Sequence, residues 1–211
     1  MFDVPNGRFM TNTKEHILKT AFSLFLQKSF KEVTMKEIVE NSGLSKGAFY
    51  HYFPSKEALF IEVIDKFYFE MGTIDYERLT KESLYKFYHE YVEQLKNVMM
   101  GVRDILSCCD LGINMNYFSM LFDAMKLFPG FKDKLMKTMQ VELEAWIGII
   151  KLARSKGEFA SPMTDEQIAR MFIYSNDGIG LRMFLEGKAE DMFDEMLTLW
   201  DNFYKEILDE L

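Results

Sequence analysis

The chemistry in this sequence is concentrated in one short run, Ser45-Lys46-Gly47-Ala48-Phe49-Tyr50-His51. Lys46 brings a cation, and Tyr50 and His51 bring donors long enough to reach phosphates or base edges. Gly47 and Ala48 are small enough to let a helix backbone approach a duplex closely. Ser45 is an N-cap type, so the run opens a helix, and a helix N-terminus favours phosphate through its free N–H groups and dipole. Lys56 falls in the first turn of the next expected helix, where a cation opposes the macrodipole; a phosphate nearby would explain that placement. Together with Thr34, the cap of the preceding helix, the expected DNA contacts are Thr34, Ser45, Lys46, Gly47, Ala48, Tyr50, His51 and Lys56. Taken singly, each has an ordinary explanation. A surface lysine is usually a solvated charge, Thr34, Ser45 and Ser55 are structural caps in any case, and Phe49, Phe53 and Tyr52 read as core. The joint pattern is what points to nucleic acid.

Three elements must hold this run in place. A first helix near 12–29 puts Ile17, Leu18, Ala21, Phe22 and Phe25 on one stripe and leaves Lys14, Lys19 and Lys28 outside. Thr34 and Glu37 have capping-box spacing, and Met35, Ile38 and Val39 give the short helix 34–41 its buried face. Gly43 suits a left-handed turn that redirects the chain, and Pro54 ends the third helix, 45–51. Two short helices about a glycine turn bury little alone, so they must pack on the first. That is the logic of a helix-turn-helix.

Residues 13–67 resemble the DNA-binding domain of the TetR family of transcriptional regulators. The resemblance is carried by Ile17-Leu18, Ala21-Phe22, Leu24-Phe25, Thr34, Ile38, Gly43, Ser45-Lys46-Gly47, Phe49-Tyr50, Tyr52-Phe53, Ser55-Lys56-Glu57 and Leu59. Ser29 departs from the family's usual glycine, and Val39 and Ser42 from its usual alanines. The resemblance implies an all-α protein: an N-terminal three-helix helix-turn-helix domain joined by a shared helix to a C-terminal helical ligand-binding and dimerisation domain. The expected division is a flexible tail 1–11, the DNA-binding domain 12–72 with its helix-turn-helix at about 34–53, and a regulatory and dimerisation domain 73–211. The function it implies is a DNA-binding regulator, a repressor released from its operator by a small molecule, and not an enzyme. The alternative is a helical small-molecule binder or enzyme with a vestigial helix-turn-helix.

The charge distribution agrees with a binding head on an acidic body. The chain has 211 residues and a formal net charge of −8. Residues 1–60 hold eight Lys/Arg against six Asp/Glu, a net +2, while 61–211 hold 17 against 27, a net −10. Helices are expected over 55–72, 80–100, 102–109, 115–127, 131–156, 164–186 and 189–210, with no alternating strand pattern anywhere.

The last two helices look like a homodimer interface. The final one carries two adjacent apolar stripes, and Gly178 and Gly180 would permit close helix approach in the one before it, which opens with a Thr164–Gln167 capping box. Phe172, Gly180, Met183, Met196 and Phe203 are the interface residues expected. The middle helices are rich in methionine and aromatic residues, which fit a ligand cavity and an ordinary core alike. Tyr88, Tyr91, Met99, Phe118, Phe122, Trp146 and Asn176 are the pocket residues expected, around a largely apolar ligand, with Asn114, Asn116 and Asp177 as polar neighbours. Cys108 and Cys109 read as buried structural thiols, since Arg103 is outweighed by Asp104 and Asp110. No metal-ligand spacing, cofactor loop or nucleophile motif stands out, and no apolar run is long enough to span a bilayer. The expected location is the cytoplasm.

Overall fold

A computed structural model describes residues 6–107 and 115–208. Cys108, Cys109, Asp110 and Asn114 lie outside the described residues. The regular structure among those described is entirely helical: α1 Asn6–Gln27, α2 Met35–Ser42, α3 Lys46–Tyr52, α4 Lys56–Ile64 continued by a π-helical segment Asp65–Glu70, α5 Leu84–Ser107, α6 Met115–Leu127, α7 Phe131–Ser155, α8 Asp165–Glu186 and α9 Met192–Leu208, the last preceded by a short 3₁₀ turn. Two boundaries differ from expectation. α1 starts at Asn6, so half of the stretch expected as a loose tail is helical; Gly7, which argues for a tail, falls in the fraying first turn where it costs little. α5 runs unbroken through Gly101, where an added Cβ would meet only Met71 Cε at an ordinary 3.8 Å.

The helices form two compact units. The first comprises Met1–Thr73 and Met99–Pro129, the second Ile74–Val98 and Gly130–Leu211. α6 therefore groups with the N-terminal helices, although the sequence places it in the body. The helix that both units share is α5, whereas the expected linking helix, 55–72, lies wholly in the first.

In the first unit, Ile17, Ala21, Phe22, Phe25 and Leu26 of α1 are buried against Ile38, Phe49, Leu59, Phe60 and Val63. The Phe25 and Phe60 rings meet edge to face at 4.9 Å, and Phe22 stacks on Phe67 at 4.3 Å. Burial of each such side chain contributes about 1.5–3 kcal/mol. α6 is fastened to the end of α1 because Asn116 Nδ2 donates to the Leu26 carbonyl at 2.7 Å, one of the acceptors a helix C-terminus leaves open. Phe128, just after α6, stacks on Phe60 at 5.6 Å.

The caps differ between α2 and α8. At α8, Thr164 and Gln167 complete the reciprocal box. At α2, Thr34 accepts from the Glu37 N–H, but the Glu37 carboxylate pairs with Lys28 at 2.5 Å instead of returning to the cap. Lys28 holds that carboxyl below its usual range.

The second unit is built on aromatic rings. Trp146 stacks on Phe172 at 4.9 Å, and Trp200 meets both edge-on at 5.5 and 5.2 Å. Phe172 and Met196 have no exposed surface at all. Both therefore belong to this unit's own core and not to an interface, which corrects two of the expected dimer residues. A helix apolar on two stripes does not reveal from sequence which stripe faces inward. Arg154 pins the α7–α8 connection, donating to Asp165 and to the Ser161 and Met163 carbonyls, each at 2.7 Å.

Candidate nucleic-acid interface and ligand region

The third helix divides cleanly into two faces. Ser45 accepts from the Ala48 N–H at 3.3 Å and sets the start, and Phe49 points into the core with no exposed surface. Lys46, Gly47, Ala48, Tyr50 and His51 are all exposed. Lys46 Nζ lies 5.9 Å from the centre of the Tyr50 ring, so cation and phenol share one surface. Gly43, at φ 67°, makes the turn that presents this helix. An added Cβ on Gly47 would meet nothing within 4 Å. Packing within the chain therefore does not require glycine there, and the open space lies where a partner's backbone would approach.

Two expected contacts have other duties. Thr34 caps α2. Lys56 is half-buried, and its ammonium donates to the Phe30 and Val33 carbonyls, each at 2.7 Å, while lying 4.4 Å from the centre of the Phe30 ring. These acceptors, not a phosphate, explain a cation in the first turn of α4. Lys56→Ala is expected to lower stability by about 2 kcal/mol in urea unfolding, since two carbonyls lose a charged donor. The salt dependence of DNA binding should stay unchanged. A slope reduced by about one unit with stability intact would return Lys56 to the phosphate contacts.

The expected pocket residues do not form one group. Met99, Phe118 and Phe122 belong to the first unit, and Phe122 is 59% exposed. Tyr88, Tyr91, Trp146 and Asn176 come together in the second. Asn176 Nδ2 donates to the Tyr91 hydroxyl at 3.3 Å, and the Tyr91 and Trp146 rings are 5.3 Å apart. Tyr88 donates to Asp201 at 2.6 Å, and His89 Nε2 lies 3.1 Å from the same carboxylate oxygen.

Sequence reasoning missed Glu142 of α7 and Tyr76. Tyr76 donates to Glu142 Oε1 at 3.1 Å, and the Tyr91 hydroxyl does so at 3.4 Å. The signal was available: Glu142 precedes Trp146 by four residues and so shares its inward face. Burial pushes the Glu142 carboxyl up, the Asp177 charge adds to this, and the two tyrosine hydrogen bonds pull against it. Asp177 itself opens to solvent at the rim, yet enough protein surrounds it to push its carboxyl up too. Among the described residues, no group of three His, Cys, Asp or Glu could hold a metal ion.

Comparison with known proteins agrees with this arrangement. Residues 17–63 match the family described as bacterial regulatory proteins, tetR family. The uncharacterized HTH-type transcriptional regulator YfiR of Bacillus subtilis (strain 168) is 29% identical over 175 residues, which is 79% of this chain and 81% of YfiR. The HTH-type transcriptional repressor NemR of Escherichia coli (strain K12) is 39% identical over 57 residues, 27% of this chain and only 29% of NemR. The crystal structure of E. coli NemR in its reduced form has the same fold, with a TM-score of 0.58 at 20% identity over 93% of this chain and 97% of that one. With that family match and these relatives, the outward-facing third helix is the recognition element of a helix-turn-helix DNA-binding transcriptional regulator. Its helix-turn-helix domain, over residues 17–63, is that of the tetR family of bacterial regulatory proteins.

Proposed function

We propose that the protein is a cytoplasmic repressor that binds double-stranded operator DNA as a homodimer and is released by a small molecule bound in its second unit. Residues 12–72 are the DNA-binding part in this reading, and 73–211 the regulatory part. The observation that carries it is the outer face of α3. Lys46, Tyr50 and His51 share one exposed surface and have no hydrogen-bond or ion-pair partner among the described residues. Among the described residues, no helix is long and apolar enough to cross a membrane.

On operator DNA, Lys46→Ala should weaken binding to all sequences and flatten the salt slope by about one unit. Tyr50→Ala should cost roughly 1–3 kcal/mol on the specific site, through a base edge or thymine methyl. The measurement is a salt-dependent gel shift on DNA upstream of the protein's own gene, with an unrelated duplex beside it. Unchanged affinity in both variants, with folding intact, removes α3 from the interface.

The dimer surface is proposed on α8 and α9, but on a different face from the one expected. Met171, Tyr174, Gly178, Leu181 and Leu185 all stand exposed on α8. Their spacing alternates three and four residues, the repeat of a helix–helix seam. Leu199 of α9 is exposed as well, and Gly180, Met183 and Phe203 are half-buried. Gly178 has open space around it, which suits close approach by a helix from a second copy. Two helices from each subunit would make an isologous four-helix contact.

The small molecule is placed around Tyr91 and Asn176. Both residues bear on α5, which continues from the second unit into the first.

A further inference from the structure

The carboxylates inside the second unit are nearly all matched. Asp165 pairs with Arg154 at 2.7 Å. Asp201 has Tyr88 and His89. Glu158 accepts from the Leu84 N–H at the start of α5 and from the Tyr204 hydroxyl at 2.7 Å. Glu142 and Asp177, like Glu158, have no lysine, arginine or histidine partner among the described residues, and Glu142, unlike Glu158, has no backbone N–H donor either. The two tyrosine hydroxyls on Glu142 satisfy hydrogen-bonding capacity without supplying charge. Withdrawing a carboxylate from water without a counter-charge is expensive, and Asp177 beside it makes the ionised form costlier still.

The rings that carry those two hydroxyls belong to an aromatic cluster. The Tyr76 and Tyr91 rings stack at 6.2 Å, and Trp146 meets Tyr91 at 5.3 Å, one turn along α7 from Glu142. A separate observation falls on the same residues. The Trp146 indole N–H is fully buried and has no hydrogen-bond partner. A buried donor of this kind normally finds an acceptor, and the described chain supplies none.

We propose that the molecule sensed by the second unit is an organic cation with an aromatic or apolar body, its charge matched by Glu142 and Asp177 and its body held by Tyr76, Tyr91 and Trp146. This rests on the reading of the protein as a ligand-released repressor and gives that ligand its chemical class. The carboxylates supply the charge that the rings alone lack, and the ring faces attract a desolvated cation through their quadrupoles. An oxygen acceptor on the ligand would satisfy the Trp146 N–H. The same arrangement disfavours anions, which would meet the Glu142 carboxylate with no counter-charge between them.

The test is a matched pair of probes, phenyltrimethylammonium and its uncharged isostere tert-butylbenzene, titrated into the full chain and followed by tryptophan fluorescence. The cation should bind at least about tenfold more tightly than the isostere. Glu142→Gln should abolish that preference, and Asp177→Asn should reduce it. Glu142→Gln should melt no lower than the parent protein at neutral pH, because it removes a charge that has no partner; this controls for folding. Equal affinity for the two probes overturns the proposal. So does a preference that survives Glu142→Gln, or no detectable binding of the cation at millimolar concentration. A gel shift separates this outcome from the wider reading. Glu142-dependent binding of the cation that leaves operator affinity unchanged supports the cation site and sinks the release mechanism. Operator release by an uncharged compound, unaffected by Glu142→Gln, keeps the release mechanism and sinks the cation site.

Discussion

Leu181→Glu is expected to turn the protein into a monomer and to abolish high-affinity operator binding in the same step. Leu181 is 42% exposed in the single chain, so a carboxylate there is solvated and the subunit keeps its fold. An isologous contact covers the same patch on both subunits, so each dimer would bury two like charges against apolar side chains. A dimeric regulator places its two recognition helices in half-sites about 34–36 Å apart, or a multiple of that, and a lone subunit occupies only one. Operator affinity should therefore fall toward the non-specific level, roughly 10³-fold or more. Sedimentation and operator binding need to be measured on the same preparation, with circular dichroism to show that helicity is unchanged. Met196→Glu is a poor substitute: that side chain is fully buried, and a charge there would unfold the second unit. A Leu181→Glu protein that still sediments as a dimer would move the interface off this face of α8.

Local structure was the legible part of this chain. Gly43, Ser45 and the buried Phe49 follow from turn chemistry, capping and helical spacing within a few residues of each other, and α3 forms on those terms. What depended on distant partners was not legible. Lys56 is explained by carbonyls 26 and 23 residues away, and Glu142 by tyrosines 66 and 51 residues away. Without those partners a lysine near a recognition helix reads as a phosphate contact, and a glutamate in a mid-chain helix reads as solvated. The proposed dimer face shows a third kind of limit. α8 is apolar on more than one side, so its periodicity declared a helix without saying whether Phe172 or Leu181 faced out. Membership of α6 in the first unit depends on distant partners too, among them Asn116 reaching the Leu26 carbonyl 90 residues away and Phe128 stacking on Phe60, with no sequence pattern to announce them.

Ligand and operator are expected to weaken each other by the same factor. Tyr91 lies on α5 within the second unit and is tied to both Glu142 of α7 and Asn176 of α8. A ligand that separates those side chains must displace the α5 segment carrying Tyr91. The same helix continues to Ser107, and its residues from Met99 onward belong to the unit that holds α3. At ~1.5 Å per residue, its 24 residues span about 36 Å without a break, so a displacement at one end is carried to the other. A two-fold dimer must match a fixed groove repeat, and a shift in each subunit opposes binding at both half-sites together. Coupling of this kind is typically ~1–3 kcal/mol, about 5–150-fold in affinity, enough to release an operator. Linkage then requires operator DNA to lower the ligand's affinity by that same factor. The measurement takes a compound that raises the melting temperature and determines its Kd by calorimetry, with the protein free and saturated with operator. A Kd higher by the factor seen in operator release establishes the coupling. Equal values in the two titrations would mean that the second unit binds its ligand without regulating DNA, and release through α5 would have to be abandoned.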